Sequence, residues 1–584
     1  MESASDALFT SHFVRFAPHS KLYPPNSLNS CSFTVIIDVC KICFSSAMLF
    51  FLHIWHISYP RILCDGFFAF QYRRTSSMPE HDLLMTCDAG TTGVKCTIFT
   101  DKGDALCSVK RTYPTIYQRP GWAEQDPNLI FNAACDGIRE LLMQVPSNRI
   151  ACVGLSGTMN GCIPVSQDGH ALHPNIIHSD SRTASQVDEI TRIISPEAFY
   201  ALTGNRLNTH YTLPKILWFR ERMPEVYRNV CWWVNIKDYI YGQLTGKFGY
   251  TDYSDASLTC CMDIHKRNWA EDMLQELNLP LSRMPRILAG HDIRGRITRE
   301  AARRTGLHAG TPVAIGGGDG ACTARGAGLY EPGYAYCYIG SSAWVSQLTE
   351  SPMLDPQART FNYIDMDGKL NHMVGTVQCA AAAFNWALEN FFSGSSGSAG
   401  EISRIENLAR SVSPGAEGVF FLPTLMGERT PYWDENTRGC LMGFSLYHQP
   451  KHVARAVYEG IAFALNSCFK IMQELDGRRY SMTLAGGGAR SGLWPNILAS
   501  VFNMETQVHF APGECTSLGA AIAAGVGVGI FPSYAHGAKM AHTRSAHAPN
   551  EAWVEKYREV YPVYERMYAQ MKPLFDDIAQ LKHE

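Results

Sequence analysis

A chain of 584 residues exceeds what one hydrophobic core usually supports, so at least two domains are expected, each of about two hundred residues. With 46% hydrophobic and 18% charged residues it reads as a globular, soluble protein. A net charge of -3 provides no basic field to hold nucleic acid, which leaves a metabolite enzyme as the natural class.

The nineteen cysteines are scattered, with a doublet at Cys260-Cys261, so reduced thiols are expected. Cys40 and Cys43 have C-x-x-C spacing, but no second pair follows at ligand distance, and the spacing is read as chance. Residues 1–80 read as an unstructured or artefactual extension. Within it, residues 42–60 are mostly apolar but interrupted by His53 and His56, a weak membrane-span pattern. They start too far from the amino terminus for a signal peptide, and Met78 lies ten residues before the first motif. The alternative to an extension is a membrane anchor or targeting segment.

From residue 83 the pattern is strand, Gly-Thr-Thr-Gly turn at 90–93, strand at 94–100, a second turn at 101–104 and another apolar run, hence an antiparallel meander. Residues 127–144 have helical spacing, 150–155 read as a buried strand, 157–161 as a glycine-bounded turn and 162–165 as a strand. Trp218, Trp232 and Trp233 read as core or rim aromatics. Residues 313–315 form a short strand that runs into Gly316-Gly317-Gly318-Asp319-Gly320 and a small-residue helix at 321–329, with a domain boundary just beyond. Then come a strand at 334–339, a turn at 340–342 and a strand at 343–348, the same unit that opens the first half, which points to a duplicated architecture without a sequence repeat. The serine-glycine tract 393–398 reads as a flexible surface loop. Residues 481–485 read as a strand, 486–488 as a loop and 493–502 as a helix. Over 553–574 four tyrosines keep helical spacing, as a docked core face whose register Pro562 and Pro573 break. The class is α/β.

Phosphate recognition needs several backbone N–H groups aimed at one point, which glycine-rich turns and helix amino termini provide. Three such places exist: Gly90-Thr91-Thr92-Gly93, Gly340-Ser341-Ser342 and Gly486-Gly487-Gly488-Ala489-Arg490. None is followed by Gly-Lys-Ser/Thr, so a P-loop fold is disfavoured. Each alone reads as an ordinary turn; their combination points to a nucleotide. Phosphoryl transfer also needs a metal and a carboxylate that accepts the attacking hydroxyl's proton. Asp88 ends a buried strand beside the first glycine turn, where it can bind Mg²⁺. Asp319 leaves three glycines at a helix start, where the helix dipole is expected to keep it ionised. By itself such an aspartate is more often a helix cap.

Further motifs complete the set. They are Asp88-Ala89-Gly90-Thr91-Thr92, Gly121 to Pro127, Thr212-Leu213-Pro214-Lys215 with Trp218, and Lys237-Asp238-Tyr239. The second half adds Gly427-Glu428-Arg429-Thr430-Pro431, the run from Gly439 to Glu459, Gly486 to Ser491, and Ser517 to Ala521. Over 83–574 the chain resembles the FGGY family of carbohydrate kinases, its xylulokinases in particular.

The resemblance implies two ribonuclease-H-like domains of the actin and hexokinase superfamily around a central cleft. Residues 81–328 would form the sugar and phosphate side and 329–575 the nucleotide side. It implies ATP and Mg²⁺, with Asp319 as general base and, with Asp88, as metal site. Met159, Asn160, Asp319 and Gly320 would meet the sugar. Gly90, Thr91, Thr92, Gly340, Ser341, Ser342, Gly486, Gly487, Gly488, Ala489 and Asn496 would meet ATP. Glu428 and Arg429 read as an ion-paired surface loop, their role left open, and His178 is given no catalytic role. The chain departs from xylulokinase at three places: Met159-Asn160-Gly161 stands for Met-His-Gly, Asp319-Gly320 for Asp-Asn, and His178-Ser179-Asp180-Ser181-Arg182 for Trp-x-Asp-x-Arg. A ketopentose such as xylulose is the expected acceptor, and another ketose, a polyol or a sugar acid such as gluconate the alternative. A catalytically silent sugar-binding regulator and an actin-like filament protein are the rivals. The expected partner is a small-molecule sugar, with no nucleic acid and no membrane; a homodimer is open to it, and ATP dependence with free thiols implies the cytoplasm.

Overall fold

The computed structural model describes residues 81–392, 399–478 and 480–581, all within the unit 78–584. The extension 1–80, with its apolar stretch and Cys40–Cys43 pair, and the tract 393–398 lie outside the described residues.

The first half builds one mixed seven-stranded sheet. Strands β1 (Leu83–Gly90), β2 (Gly93–Thr100) and β3 (Ala105–Thr112) are the expected antiparallel meander. Helix α1 (Pro127–Leu142) begins at Asp126, whose side chain caps Asn128 N. Strand β4 (Ile150–Gly157) returns parallel to β1 and is buried along its whole length, as its continuous apolar run requires. Helices α2 (Thr212–Arg222), α3 (Ile236–Thr245) and α4 (Tyr253–Leu258) precede β5 (Ile293–Arg296), β6 (Pro312–Ala314) and β7 (Gly317–Gly318). The order is β5-β6-β4-β1-β2-β3, with β7 paired to the end of β4. Helix α5 spans Asp319–Gly326, so it starts two residues earlier than the glycine run suggests and takes Asp319 into its first turn.

The second sheet repeats this topology. Strands β8 (Tyr334–Ile339) and β9 (Ala343–Thr349) form the hairpin, with β10 (Phe361–Ile364) and β11 (Asn371–Val377) beyond it. After helix α6 (Pro450–Asp476), strand β12 (Ser481–Ala485) runs parallel to β8 as β4 does to β1. Helix α7 (Trp494–Val501), strand β13 (Thr506–His509), helix α8 (Cys515–Gly527), strand β14 (Thr543–His547) and helix α9 (Glu551–Gln580) complete the order β10-β11-β9-β8-β12-β13-β14. The duplication expected from two strand-turn-strand units is therefore present in the pairing, though not in the residues.

Pro562 and Pro573 do not interrupt α9. Both are exposed, so the carbonyls their missing N–H groups leave unpaired face water. The opposite face is docked: Tyr557, Tyr561 and Tyr564 are buried, with Tyr557 bonded to Arg455 and Glu459 and Tyr561 to Ser467.

The halves exchange helices. Helix α8 packs Leu518 and Ala520–Ala524 into a cluster with Leu84, Phe99 and Cys152 of the first sheet. Helix α5 packs Ala324 and Ala327 against Tyr336, Leu348 and Ala485 of the second. Where α5 and α8 cross, a Cβ on Gly519 would lie 1.8 Å from the Cys322 carbonyl oxygen, so this approach requires glycine. The Ser517–Ala521 motif is thus a packing motif at the junction of the halves.

Candidate active site

Strand register brings two distant carboxylates together. Ser156 of β4 pairs with Asp88 of β1 on one side and with Gly317 of β7 on the other. Adjacent strands lie about 4.8 Å apart, so Asp88 and the residue that follows β7, Asp319, reach the same end of the sheet. A Cβ on Gly318 would lie 2.6 Å from the Met159 side chain, so only glycine lets β7 lie this close to the 158–160 turn.

That end opens into a cleft of about 420 Å³ between the two sheets. Asp88, Gly90, Thr91, Thr92, Met159, Asn160, Asp319 and Gly320 line it from the first half, Ser341 and Ser342 from the second. Gly340, Gly486, Gly487, Gly488, Ala489 and Asn496 are not among its lining residues. The 486–489 turn leaves β12 beside the Gly340–Ser342 turn that leaves β8, because Ala485 pairs with Tyr338. Asn496 has its amide engaged, Nδ2 donating to Gly492 O at 2.9 Å and Oδ1 lying 3.0 Å from His547 Nδ1.

Asp88 and Asp319 are both half-buried residues that line the cleft. Burial pushes Asp88 up to about 6 against the opposing charge of Lys95. Burial and then the like charge of Asp88 push Asp319 up to about 7. Burial thus outweighs the helix dipole expected to keep Asp319 fully ionised and brings it near balance between its two forms at pH 7. One backbone N–H, that of Gly320, reaches its Oδ1, at 2.8 Å, and this does not offset desolvation. Asp88 Oδ1 is buried without a hydrogen-bond partner. An orphaned carboxylate oxygen beside a second carboxyl suits a divalent cation. Among the described residues no group of three or more His, Cys, Asp or Glu could hold a metal. The pair Asp88 and Asp319 has the carboxylate count that Mg²⁺ takes from a protein, the rest of its shell coming from phosphates and water.

In the 158–160 turn that borders the cleft, Asn160 has a left-handed φ of 64° and a buried Oδ1 without a partner. Its backbone is held by Lys215, a fully buried side chain of α2 whose Nζ donates to Asn160 O at 2.6 Å, His210 O at 2.8 Å and Ile177 O at 3.0 Å. Burial pushes Lys215 down to about 7. His178 and His210 also line the cleft, pushed down by burial to about 4 and about 3, so both imidazoles are neutral.

Glu428 and Arg429 are not a surface loop. Glu428 is buried and accepts the N–H groups of Gln378 at 2.7 Å and Arg429 at 2.8 Å. Arg429 lines the cleft with its Nε buried and unpartnered, and burial lowers its pKa. Sequence reasoning missed His210, Tyr363 and Trp344, since each reaches the cleft only through tertiary structure. The absent side chain at Gly320 was one indication. A Cβ there would lie 3.0 Å from Tyr363 Oη, which takes up that space.

Family models for the N-terminal and C-terminal domains of the FGGY family of carbohydrate kinases match residues 83–326 and 335–528. The chain belongs to that family. This FGGY chain is 32% identical over 502 residues to a xylulose kinase of Staphylococcus epidermidis, a match that covers 85% of it and 98% of the relative. Among solved structures it is similar to a gluconate kinase from Lactobacillus acidophilus, with TM-score 0.80 and 26% identity, covering 85% of this chain and 99% of that one. A ligand-bound xylulose kinase from the same organism gives TM-score 0.79 and 26% identity over 85% and 99%. The resemblance read from the motifs, the two-domain α/β fold and the carbohydrate kinase class are thereby borne out.

Proposed function

We propose that this FGGY kinase transfers the terminal phosphoryl group of ATP to a sugar hydroxyl, a ketopentose such as xylulose first, with Asp319 as general base. The observation that carries the reading is that Asp319 shares one cleft with two of the three glycine turns, at 90–92 and 341–342. One oxygen of Asp319 takes the Gly320 N–H, and the other is left to accept the proton of the attacking hydroxyl. Backbone N–H groups at 90–92 and 340–342 would orient the phosphates, and the turn at 486–489 with Asn496 would face the adenosine. Asn160 Oδ1 would accept from a sugar hydroxyl. Asp88 and Asp319 would hold Mg²⁺, which when bound neutralises phosphate charge. Closure of the halves would exclude water, so that ATP is not hydrolysed. Among the described residues all fifteen cysteines are free thiols, which with ATP use supports a cytoplasmic setting.

The test is ADP release coupled to a dye, run over pentuloses, hexuloses, polyols and gluconate, with Asp319→Ala as control. Turnover on at least one acceptor, abolished in the variant while nucleotide still binds, supports the reading. Silence across the panel with intact ATP binding favours a sugar-binding regulator. A sugar acid such as gluconate is the second reading, favoured by Arg429, which lines the cleft with its Nε unpartnered.

A further inference from the structure

The motif Lys237-Asp238-Tyr239 has no place in the reaction as proposed, yet it anchors a buried charge cluster behind Asp319. Lys237 of α3 is fully buried, its Nζ 2.5 Å from Asp238, 3.1 Å from Asp252 and 3.3 Å from Asp255, and all three carboxyls are buried too. One ammonium cannot pair three buried carboxyls, and burial pushes Asp238 and Asp255 toward the neutral form, but the enclosed cluster still has a fixed geometry that orients what it touches. Asp252 extends the cluster toward the cleft. Its Oδ2 accepts the Ser254 N–H at 2.8 Å and the Ser254 hydroxyl in a short bond. With its proton committed to Asp252, the Ser254 oxygen accepts the N–H of Gly318 at 2.9 Å. Gly318 immediately precedes Asp319 and is pressed on its other side by Met159. Strand β7 is only two residues long; besides its pairing with β4 and the Cys322 thiol donating to Gly317 O at 3.4 Å, this side-chain bond fixes its approach to the helix.

We infer that Ser254 is a positioning residue for phosphoryl transfer: its hydroxyl, oriented by Asp252 and Lys237, holds the Gly318 N–H and thereby aims the Asp319 carboxyl into the cleft. The inference rests on the reading of Asp319 as the base. It makes Ser254 matter to turnover and not to ligand binding, because no part of the cluster lines the cleft.

The experiment compares Ser254→Ala, Ser254→Thr and Ser254→Val in the full chain, with kcat, KM for ATP and sugar, and Tm measured for each. Thr and Val have nearly the same shape and differ in the hydroxyl alone, so the pair isolates the bond even if the Ala form folds poorly. A misaimed base costs on the order of tenfold to a hundredfold in rate. The expected result is a kcat loss of that size in Ala and Val, both KM values within about twofold, recovery in Thr, and a Tm lower in Val than in Thr because Val leaves the Gly318 N–H and an Asp252 oxygen unpaired. Equal kcat in Thr and Val, or a kcat that falls only in step with Tm, overturns the inference. Asp319→Asn is run beside them: if it keeps normal turnover, the base assignment itself is lost. If it is inactive while Thr and Val turn over alike, only the role of Ser254 is lost.

Discussion

The ionisation of Asp319 gives the sharpest test of the site. Its carboxyl moves from an ordinary 3.8 to about 7, a preference for the neutral form of about 4 kcal/mol, less what water in the cleft screens. A base must be ionised, so kcat/KM should be level above pH 7 and fall about tenfold per pH unit below it. The same shift acts on folding with opposite benefit. Between the unfolded and folded values the native state keeps a proton that the unfolded chain has lost, so stability is full below about pH 4 and declines as pH rises to about 7. Ligand-free protein should therefore lose up to about 4 kcal/mol from this group between pH 4 and 7, and Asp319→Asn should remove that slope while abolishing turnover. Urea unfolding at several pH values, for the parent and the Asn variant, measures the first quantity, and initial rates under the same buffers measure the second. A kcat/KM profile flat from pH 5 to 8, or an unchanged stability slope in the variant, would refute the burial argument.

Asp88→Asn removes the like charge that helps raise Asp319, so the acid limb should move to lower pH while the Mg²⁺ concentration needed for half-maximal rate rises; a limb that stays at pH 7 would show that burial alone sets it. Gly320→Asn places a side chain against Tyr363, 3.0 Å from the new Cβ, and should cost about 1–3 kcal/mol in unfolding free energy, measured by urea unfolding. Arg429→Gln should lower kcat/KM for gluconate by roughly tenfold to a hundredfold, the worth of a charged hydrogen bond, and change xylulose turnover little. Parallel losses on both acceptors would remove the case for a carboxylate at that position.

Much of this was legible in the sequence because glycine punctuates it. The hairpin at 90–93, the strand ends at 339 and 485 and the 316–320 run needed no tertiary knowledge, since each requires a tight turn or close backbone approach. The pairing of Asp88 with Asp319 could be expected from motif chemistry, but the structure supplies its cause, their flanking of Ser156. What stayed hidden depends on neighbours far away in the chain. Arg429 looked like half of a surface ion pair because its burial comes from elements that no local pattern predicts. Tyr363 and His210 carry no motif at all. The prolines of α9 looked like breaks because propensity weighs a lost hydrogen bond, and cannot see that both sit on the wet face. For Asp319, local reasoning weighed the dipole of an eight-residue helix and could not weigh enclosure by two sheets.

The exchange of α5 and α8 means that the chain's midpoint is not a seam. Cutting near residue 330 would strip each sheet of the helix lent by the other half, baring Leu84, Phe99 and Cys152 on one fragment and Tyr336 and Leu348 on the other. Neither fragment would be a self-sufficient solute, and co-expressed pieces would have to find each other to fold. Motion between the halves is constrained in the same way: it has to respect the crossing at Gly519, where two backbones touch and no side chain is present to yield.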